Sequence, residues 1–456
     1  MGSKRFENEK TSRLLITFAL PIILELLVFE MYNLVDTFFV GRFVHKSAIA
    51  ALMVVYPIQR LYCSLSVLIG VGASTMLSRT LGARGEAESR AIIRNGFLLM
   101  SVVTLSLVVA TFLFPEFILS ALGAQAEILP EAISYLKYIS TGAMFIGLTT
   151  YMAYILLSFG DTKVSVIATS IGAVGNIILN AIWIFIFHMG VSGAGLGSLL
   201  SQFMGFVYAF VRFKKLSGDI QLKMKGEFML KLSPAILLGG LSAFIIEAED
   251  SVVIGVLNRI LAGSMGNDGI VILGLIMKVY MFIFIALFGV VSAMQPIAAY
   301  YYGAGRKDKL QELMNRTLVY SFLSTLILWL LFQLFSKQMV GFFLSDSLII
   351  EKAACALRTV VAVFPVVSLY YMGIFYFQAR GNSGISLVGS LLRQMIILLP
   401  TAYFLSRVMG LGGQGVWLAY PVTDILSTLV MSLMIKKETK LQLRPARTMM
   451  LVFHLL

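Results

Sequence analysis

The fold is decided by the stretch Pro21-Ile-Ile-Leu-Glu25-Leu-Leu-Val-Phe29-Glu30-Met-Tyr32-Asn33-Leu-Val-Asp36-Thr-Phe-Phe-Val-Gly-Arg42, which is apolar enough to cross a bilayer yet carries three acids. A carboxylate in hydrocarbon costs roughly 2.5–3.5 kcal/mol. At about 100° per residue, the side chains of Glu25, Tyr32 and Asp36 fall on one helical face. We therefore interpret this helix as one wall of a polar cavity, which Glu30 and Asn33 also line. The alternative is a buried structural network between helices.

Composition places the whole chain in a membrane. Of its 456 residues, 59% are hydrophobic and only 13% are charged, and the mean hydropathy is +0.89. Soluble domains carry about 25% charged residues, so we expect an all-α polytopic protein surrounded by membrane lipids. The net charge of +13 is spread over short loops with no patch of interleaved basic and aromatic residues. Nucleic acid is therefore not an expected partner.

Twelve apolar runs are long enough to cross the bilayer as helices. They cover about 13–40, 47–78, 91–114, 130–158, 164–187, 192–213, 231–260, 268–302, 312–335, 350–379, 384–407 and 411–435. The longest connection separates six helices from six. We predict a first lobe at 1–213, a cytoplasmic linker at 214–230, a second lobe at 231–435 and a basic cytoplasmic tail at 436–456.

The distribution of basic residues predicts the orientation. With the N-terminus inside, the inner segments hold 25 of the 36 Lys and Arg residues and the outer loops hold 6. Inner loops of membrane proteins carry the excess of Lys and Arg. We therefore expect both termini to be cytoplasmic.

The two halves of the chain repeat. Three loops match at a spacing of 220 or 221 residues. They are Ser78-Arg-Thr-Leu-Gly82 with Tyr300-Tyr-Tyr-Gly303, Phe159-Gly160-Asp161 with Arg380-Gly381-Asn382, and Gly190-Val-Ser-Gly193 with Gly410-Leu-Gly-Gly413. An even number of helices separates the copies, so the repeat is parallel. Two six-helix lobes related by a pseudo-two-fold axis along the membrane normal are typical of transporters with a cavity between the lobes.

The seventh predicted helix is the counterpart of the first. Aligning Pro21 with Pro234 places Asp36 over an acid of this helix, which carries Glu247, Glu249 and Asp250. Residues three apart share a helical face, so Glu247 and Asp250 are predicted to line the cavity while Glu249 points elsewhere. Lys278 on the eighth helix is the candidate ion-pair partner or gate for these acids. A purely structural pair remains open as the other interpretation.

These residues resemble a known family. The pattern Ala19-Leu-Pro21 with Tyr32-Asn33-Leu-Val-Asp36-Thr-Phe-Phe-Val-Gly41-Arg42 resembles the first-helix signature of multidrug and toxic compound extrusion (MATE) transporters of bacteria. Further matches in order along the chain are Pro57-Ile58, Gly160-Asp161-Thr-Lys163, Gln295-Pro296, Phe377-Gln378-Ala-Arg380-Gly381, Leu391-Leu-Arg393-Gln394 and Pro421-Val-Thr-Asp424. The resemblance covers nearly the whole chain. It implies antiport, in which organic and often cationic compounds leave the cell as H⁺ or Na⁺ enters.

The resemblance also implies a cation site in the first lobe. Related proteins use an Asp of the first helix, an Asn and an Asp on the fifth, and a hydroxyl on the sixth. The matching residues are Asp36, Asn176, Asn180 and Ser198. Asn180 stands where an Asp is usual, so the site has one formal charge fewer, which favours H⁺ over Na⁺. Apart from a Na⁺ at Asp36, we expect no metal and no cofactor.

Three function classes are weighed. The leading hypothesis is a cation-coupled exporter, acting as a monomer in the bacterial cytoplasmic membrane on small organic cations. The alternative is a flippase of lipid-linked oligosaccharide from the same superfamily. That activity favours a cavity rich in Arg and Lys, whereas the first and seventh helices are acidic. A membrane-embedded enzyme is the third class, and no catalytic constellation is visible in the sequence.

Overall fold

The structure is a computed structural model of the chain. It describes the backbone of residues 2–43, 46–220, 229, 231–343 and 346–442, and the side chains of these residues apart from 2–4, 32–43, 46–50, 251 and 438–442. All regular secondary structure in these described ranges is helical. This confirms the predicted all-α class.

Sixteen α-helices are described. They are α1 Gly2–Asn8, α2 Thr11–Phe43, α3 Lys46–Gly82, α4 Glu86–Leu113, α5 Pro115–Ala121, α6 Leu129–Ser158, α7 Val164–Ala181, α8 Gly190–Asp219, α9 Leu232–Met265, α10 Asn267–Gly303, α11 Lys307–Gly341, α12 Ser347–Val360, α13 Val367–Ala379, α14 Ser383–Leu391, α15 Leu399–Tyr403 and α16 Gly412–Gln442.

These helices form the twelve predicted spans. Eleven stretches within the described residues are long and apolar enough to cross a membrane. The remaining long helix is α9, with 34 residues and three acids in its middle. Helices suit this setting because hydrocarbon offers no water to satisfy backbone N–H and C=O groups. The predicted linker begins as a continuation of α8, and residues 221–228, 230 and 443–456 lie outside the described residues.

Two spans are irregular where the sequence places a proline. The tenth span breaks between α12 and α13, and a short 3₁₀ turn at Phe364–Val366 holds Pro365. The eleventh span widens into π-helical turns at Leu392–Leu398 and Phe404–Val408. Pro400 lacks an N–H, and its ring would clash with the carbonyl four residues earlier in a regular helix. The wide turn just before Pro400 relieves that clash.

Contacts divide the chain into two compact units. The first comprises residues 1–8 and 24–244, and the second comprises residues 9–23 and 245–456. Two helices are therefore shared. The start of α2 packs within the second unit, where Thr11 donates a hydrogen bond to Glu312 at 3.0 Å. The start of α9 packs within the first unit.

The backbones of α3 and the start of α9 approach each other closely in the first unit. A Cβ at Gly72 would lie 1.9 Å from the Ile236 carbonyl oxygen, and one at Gly240 would lie 1.8 Å from the Leu68 carbonyl oxygen. Small residues let helix backbones approach closely in membranes, where dispersion contacts replace the hydrophobic driving force. Glycine is therefore required at both positions.

We predict that Gly240→Ala destabilises the protein. The added methyl group must push α9 from α3, and overpacking of this kind typically costs about 1–3 kcal/mol. Thermal unfolding of the purified protein measures the effect. Gly255→Ala on the same helix is the control, because its Cβ would meet nothing within 4 Å. Equal melting temperatures for both variants would contradict the packing described here.

Candidate functional site

The first unit brings together three of the predicted cation-site residues. Asn176 and Asn180 of α7 and Ser198 of α8 are fully buried. The Asn176 amide nitrogen donates to the Ser198 hydroxyl at 3.2 Å, and the Asn180 amide nitrogen donates to the Asn176 oxygen at 3.0 Å. Gly197 makes room for this chain, because a Cβ there would lie 2.3 Å from the Asn180 side-chain oxygen. The result is a row of amide and hydroxyl groups in the membrane.

The first span carries the other predicted residues of this unit. Asp36, Tyr32 and Asn33 belong to α2, and their side chains lie outside the described residues. Glu25 is half-buried and accepts a hydrogen bond from the Ser165 hydroxyl in the first turn of α7. This end of a helix favours a carboxylate, because its N–H groups carry partial positive charge. Glu30 is also half-buried.

The second unit holds a second polar cluster, which we call the acid–amide cluster and define as Glu249, Asp250 and Gln394. The Gln394 amide nitrogen donates to Glu249 Oε1 at 3.0 Å and to Asp250 Oδ1 at 2.9 Å. Glu249 is only 3% exposed, whereas Asp250 is exposed and Gln394 is half-buried. Two carboxyl groups of the seventh span thus share one donor of the eleventh.

The structure differs here from the expected division of the seventh-span acids. Glu249 was expected to point away from Asp250, but both side chains reach the same amide. Their positions differ by only about 100° around the helix, and the longer Glu side chain can bend toward a donor placed between them. Glu247 is half-buried. Lys278 lies with its Nζ 5.6 Å from the Phe343 ring centroid, so the structure does not bring it to the acids.

A buried ion pair adjoins the acid–amide cluster. Arg393 Nε and Nη2 each lie 2.8 Å from Asp424 Oδ1, and the two side chains are 4% and 0% exposed. Arg393 Nη2 also donates to the Tyr280 hydroxyl at 3.0 Å. Two charges this deeply buried are tolerable only when each compensates the other. The Arg393 charge is therefore matched by Asp424.

The π-turn at Leu392–Leu398 positions both polar sites. It carries Arg393 and Gln394 in succession, so that one side chain reaches Asp424 and the next reaches the acid–amide cluster. The Arg393 backbone N–H donates to the Tyr370 hydroxyl at 3.1 Å, and that hydroxyl donates to the Gly389 carbonyl oxygen. Tyr370 thereby links the start of the widened turn to the helical turn before it.

Aromatic rings extend from the ion pair along α10. Tyr280, Phe284 and Phe288 stack in sequence, with ring centroids 6.4 and 5.5 Å apart. All three are half-buried. Phe364, Tyr371 and Phe375 contact them edge-on from the tenth span. A row of partly exposed aromatic faces beside carboxylates attracts organic cations.

Sequence reasoning did not assign Gln394 or Asp424 to a site, although both stand in motifs that carried the family resemblance. A usable signal was present. An ionisable residue inside a span needs a partner there, and Arg393 and Asp424 are an intramembrane cation and an intramembrane acid of the same lobe. Gln394 left no comparable signal, because a neutral amide has no such requirement for an ion partner.

A helical membrane protein with repeated halves and buried acids and amides within its spans defines the class of polytopic transporters. The sequence identifies the family within this class. The family model described as MatE matches residues 21–182 and 251–404, so the chain belongs to the MATE family of efflux transporters.

Relatives and solved structures agree with this assignment. The chain is 25% identical over 411 residues to the multidrug export protein MepA of Staphylococcus aureus, covering 90% of each chain. It is also 25% identical over 417 residues to MepA of Staphylococcus saprophyticus, again covering 90% of each. A MATE crystal structure in the bent conformation superposes with a TM-score of 0.90 at 21% identity, covering 96% of this chain and 97% of that one. At this identity the superposition shows the fold.

We predict that breaking the Arg393–Asp424 pair is costly, whereas removing it entirely is not. Arg393→Met or Asp424→Leu alone leaves an uncompensated buried charge and should destabilise the protein by roughly 3–5 kcal/mol. The double variant should recover most of that loss. Thermal unfolding of the four proteins of this double-mutant cycle gives the coupling energy.

Arg212→Met is the matched control for the cycle. Arg212 pairs with Asp161 at 2.5 Å, but the two side chains are 43% and 26% exposed. Exposed pairs contribute about 0–1 kcal/mol. Single variants of Arg393 and Asp424 that are as mild as this control would show that the buried pair does not stabilise the second unit.

Proposed function

We propose that the chain is a cation-coupled antiporter that exports small organic cations by alternating access. One observation carries this proposal. Glu249 and Asp250 share a single neutral donor beside a half-buried row of aromatic rings within the membrane spans. Carboxylates supply the charge and aromatic faces supply the stacking surface that organic cations require. The names of the staphylococcal relatives, multidrug export proteins, support the same activity.

The first unit supplies the coupling site in this proposal. Asp36 carries the proton, and the amides of Asn176 and Asn180 with the Ser198 hydroxyl hold its carboxyl group. Amides and hydroxyls donate to an ionised carboxylate and accept from a protonated one, so they can serve both states. H⁺ is favoured over Na⁺ as the coupling ion, because Asp36 is the single acid among these four residues.

The setting of the proposed antiporter follows from the same reasoning. The protein acts in a bacterial cytoplasmic membrane, and both termini lie in the cytoplasm. It acts as a monomer and needs no cofactor beyond the coupling ion. The basic loops support this orientation, because positive charge is retained on the inner side.

A gradient-swap assay tests the proposal. The purified protein is reconstituted into liposomes, and the liposomes are loaded with a fluorescent organic cation. The release of this dye is recorded under an imposed ΔpH or an imposed Na⁺ gradient. We expect export under the ΔpH and little under Na⁺ alone. Export under neither gradient by correctly folded protein would remove the proposed function.

Asp36→Asn should abolish coupled export without unfolding the protein. The amide keeps the size and hydrogen-bonding capacity of the carboxyl group but cannot carry a proton. The same liposome assay measures the loss, and melting temperature confirms folding. Glu116→Gln, an acid in the short helix α5, is the control and should export normally. Normal export by Asp36→Asn would assign Asp36 a structural role and move the coupling site to the second unit.

Asn180→Asp should alter ion selectivity. It adds a second carboxylate to the buried row, and hard cations prefer sites with more charged oxygen ligands. We expect a Na⁺ gradient to become an effective driving force in this variant. Asn180→Ala controls for the loss of the amide and should not gain Na⁺-driven export. Identical ion dependence in Asn180→Asp and the unaltered protein would contradict the coupling site proposed here.

A further inference from the structure

We propose that Gln394 is an internal ligand of the acid–amide cluster, occupying the place of the N–H groups of a cationic substrate. The site then selects organic cations that donate hydrogen bonds, such as amidinium and protonated amine groups, over cations without N–H groups. This inference rests on the proposed export function and specifies the substrate class of the second unit.

The geometry around one nitrogen carries the argument. Gln394 Nε2 donates to two carboxyl oxygens at 3.0 and 2.9 Å, so those oxygens lie no more than about 6 Å apart. An NH₂ group directed at two acids is the pattern that one NH₂ group of an amidinium can reproduce. A charged donor in this place makes hydrogen bonds roughly twice as strong as those of the neutral amide. The cluster therefore favours replacement of Gln394 by a cation.

A second observation points to an absent donor. Glu249 Oε2 is buried and accepts no hydrogen bond from any described residue. A buried acceptor without a hydrogen bond costs about 1–3 kcal/mol, and a charged acceptor costs more. The neighbouring Arg393 does not supply the missing donor, and its Nε and Nη2 are directed at Asp424 and Tyr280. A ligand with several N–H groups can satisfy Glu249 Oε2 while it replaces the Gln394 amide.

Exposure gives the ligand a path. Asp250 is exposed, Gln394 is half-buried and Glu249 is 3% exposed, so the cluster deepens from Asp250 toward Glu249. An entering cation meets Asp250 first and must displace Gln394 to reach Glu249. Rotation of the Gln394 side chain suffices for this step. Tyr280 is half-buried, and its hydroxyl accepts a hydrogen bond from Arg393 of the adjoining ion pair, so an aromatic side chain lies beside the cluster.

The first half of the chain has no amide side chain at the position that corresponds to Gln394. At the repeat spacing of 221 residues, Gln394 corresponds to Ala173 in α7, which has no donor group. The corresponding stretch of α7 is regular α-helix, whereas Gln394 lies in the Leu392–Leu398 π-turn. π-turns are frequent at functional sites. The widened turn thus carries the residue whose side chain reaches the seventh-span acids.

Two small cations of similar size provide the test. Benzamidinium has N–H donors, and phenyltrimethylammonium has none. Dissociation constants are measured by calorimetry on the full chain in lipid nanodiscs. We expect Gln394→Ala to bind benzamidinium about tenfold more tightly than the unaltered protein, because the competing amide is gone. Its affinity for phenyltrimethylammonium should change less than twofold.

Further variants make the result unambiguous. Glu249→Gln should weaken benzamidinium binding at least tenfold. Gln394→Asn keeps an amide that is too short to reach both acids and should also tighten benzamidinium binding. It replaces Gln394→Ala in the test if that variant does not fold. Gln338→Ala, at an exposed position of α11, is the control and should leave both affinities unchanged.

The outcomes separate this inference from the proposed function. Unchanged or weaker benzamidinium binding in the Gln394 variants, or equal tightening for both cations, would overturn the role of Gln394. Such a result leaves gradient-driven export by the unaltered protein untouched. Conversely, the expected affinities combined with no export under either gradient would remove the antiport and retain the binding site.

Discussion

A polar group inside a membrane span is costly unless it has a partner, and the internal structure of this transporter depends on that constraint. Asn176, Asn180 and Ser198 satisfy it as a neutral row of hydrogen bonds. Arg393 and Asp424 meet it by mutual charge compensation through Asp424 Oδ1, although Asp424 Oδ2 accepts no hydrogen bond from a described residue. In the acid–amide cluster a neutral amide faces two carboxyl groups, and Glu249 Oε2 likewise has no described donor. The acid–amide cluster differs from the ion pair because its two carboxyl groups share a neutral donor, whereas Asp424 is paired with a cation.

The ion pair and the acid–amide cluster have different physical roles although they adjoin. Asp424 fixes the Arg393 guanidinium, and Tyr370 fixes the backbone that carries it. The wide turn is thus held rigidly on its Arg393 side, while the Gln394 side chain is held only by hydrogen bonds to acids that prefer a cation. A rigid support beside a replaceable ligand suits a transporter, which must bind its substrate and then release it. The same logic explains why a fully buried ion pair is retained despite its desolvation cost.

Much of this organisation could be predicted from the sequence, because the bilayer imposes simple rules on it. The length of the apolar runs predicted twelve spans, and the spacing of Asn176 and Asn180 placed them on one face of the fifth. The role of Gln394 could not be predicted. It depends on a π-turn that forms just before Pro400. A helical wheel assumes 100° per residue, so it cannot represent the wider turn. The same fixed step separated Glu249 from Asp250, whereas the flexible Glu side chain brings both acids to one donor.

The sharing of α2 and α9 gives each compact unit a segment from the other half of the sequence. The first unit includes the start of α9 as far as Phe244, and the second unit includes Glu9–Ile23. This is the connectivity of a domain-swapped dimer in which two copies of a single half exchange their leading helix segments. Neither half is therefore a self-sufficient folding unit, and cutting the chain between α8 and α9 would leave two fragments that each require the other to fold.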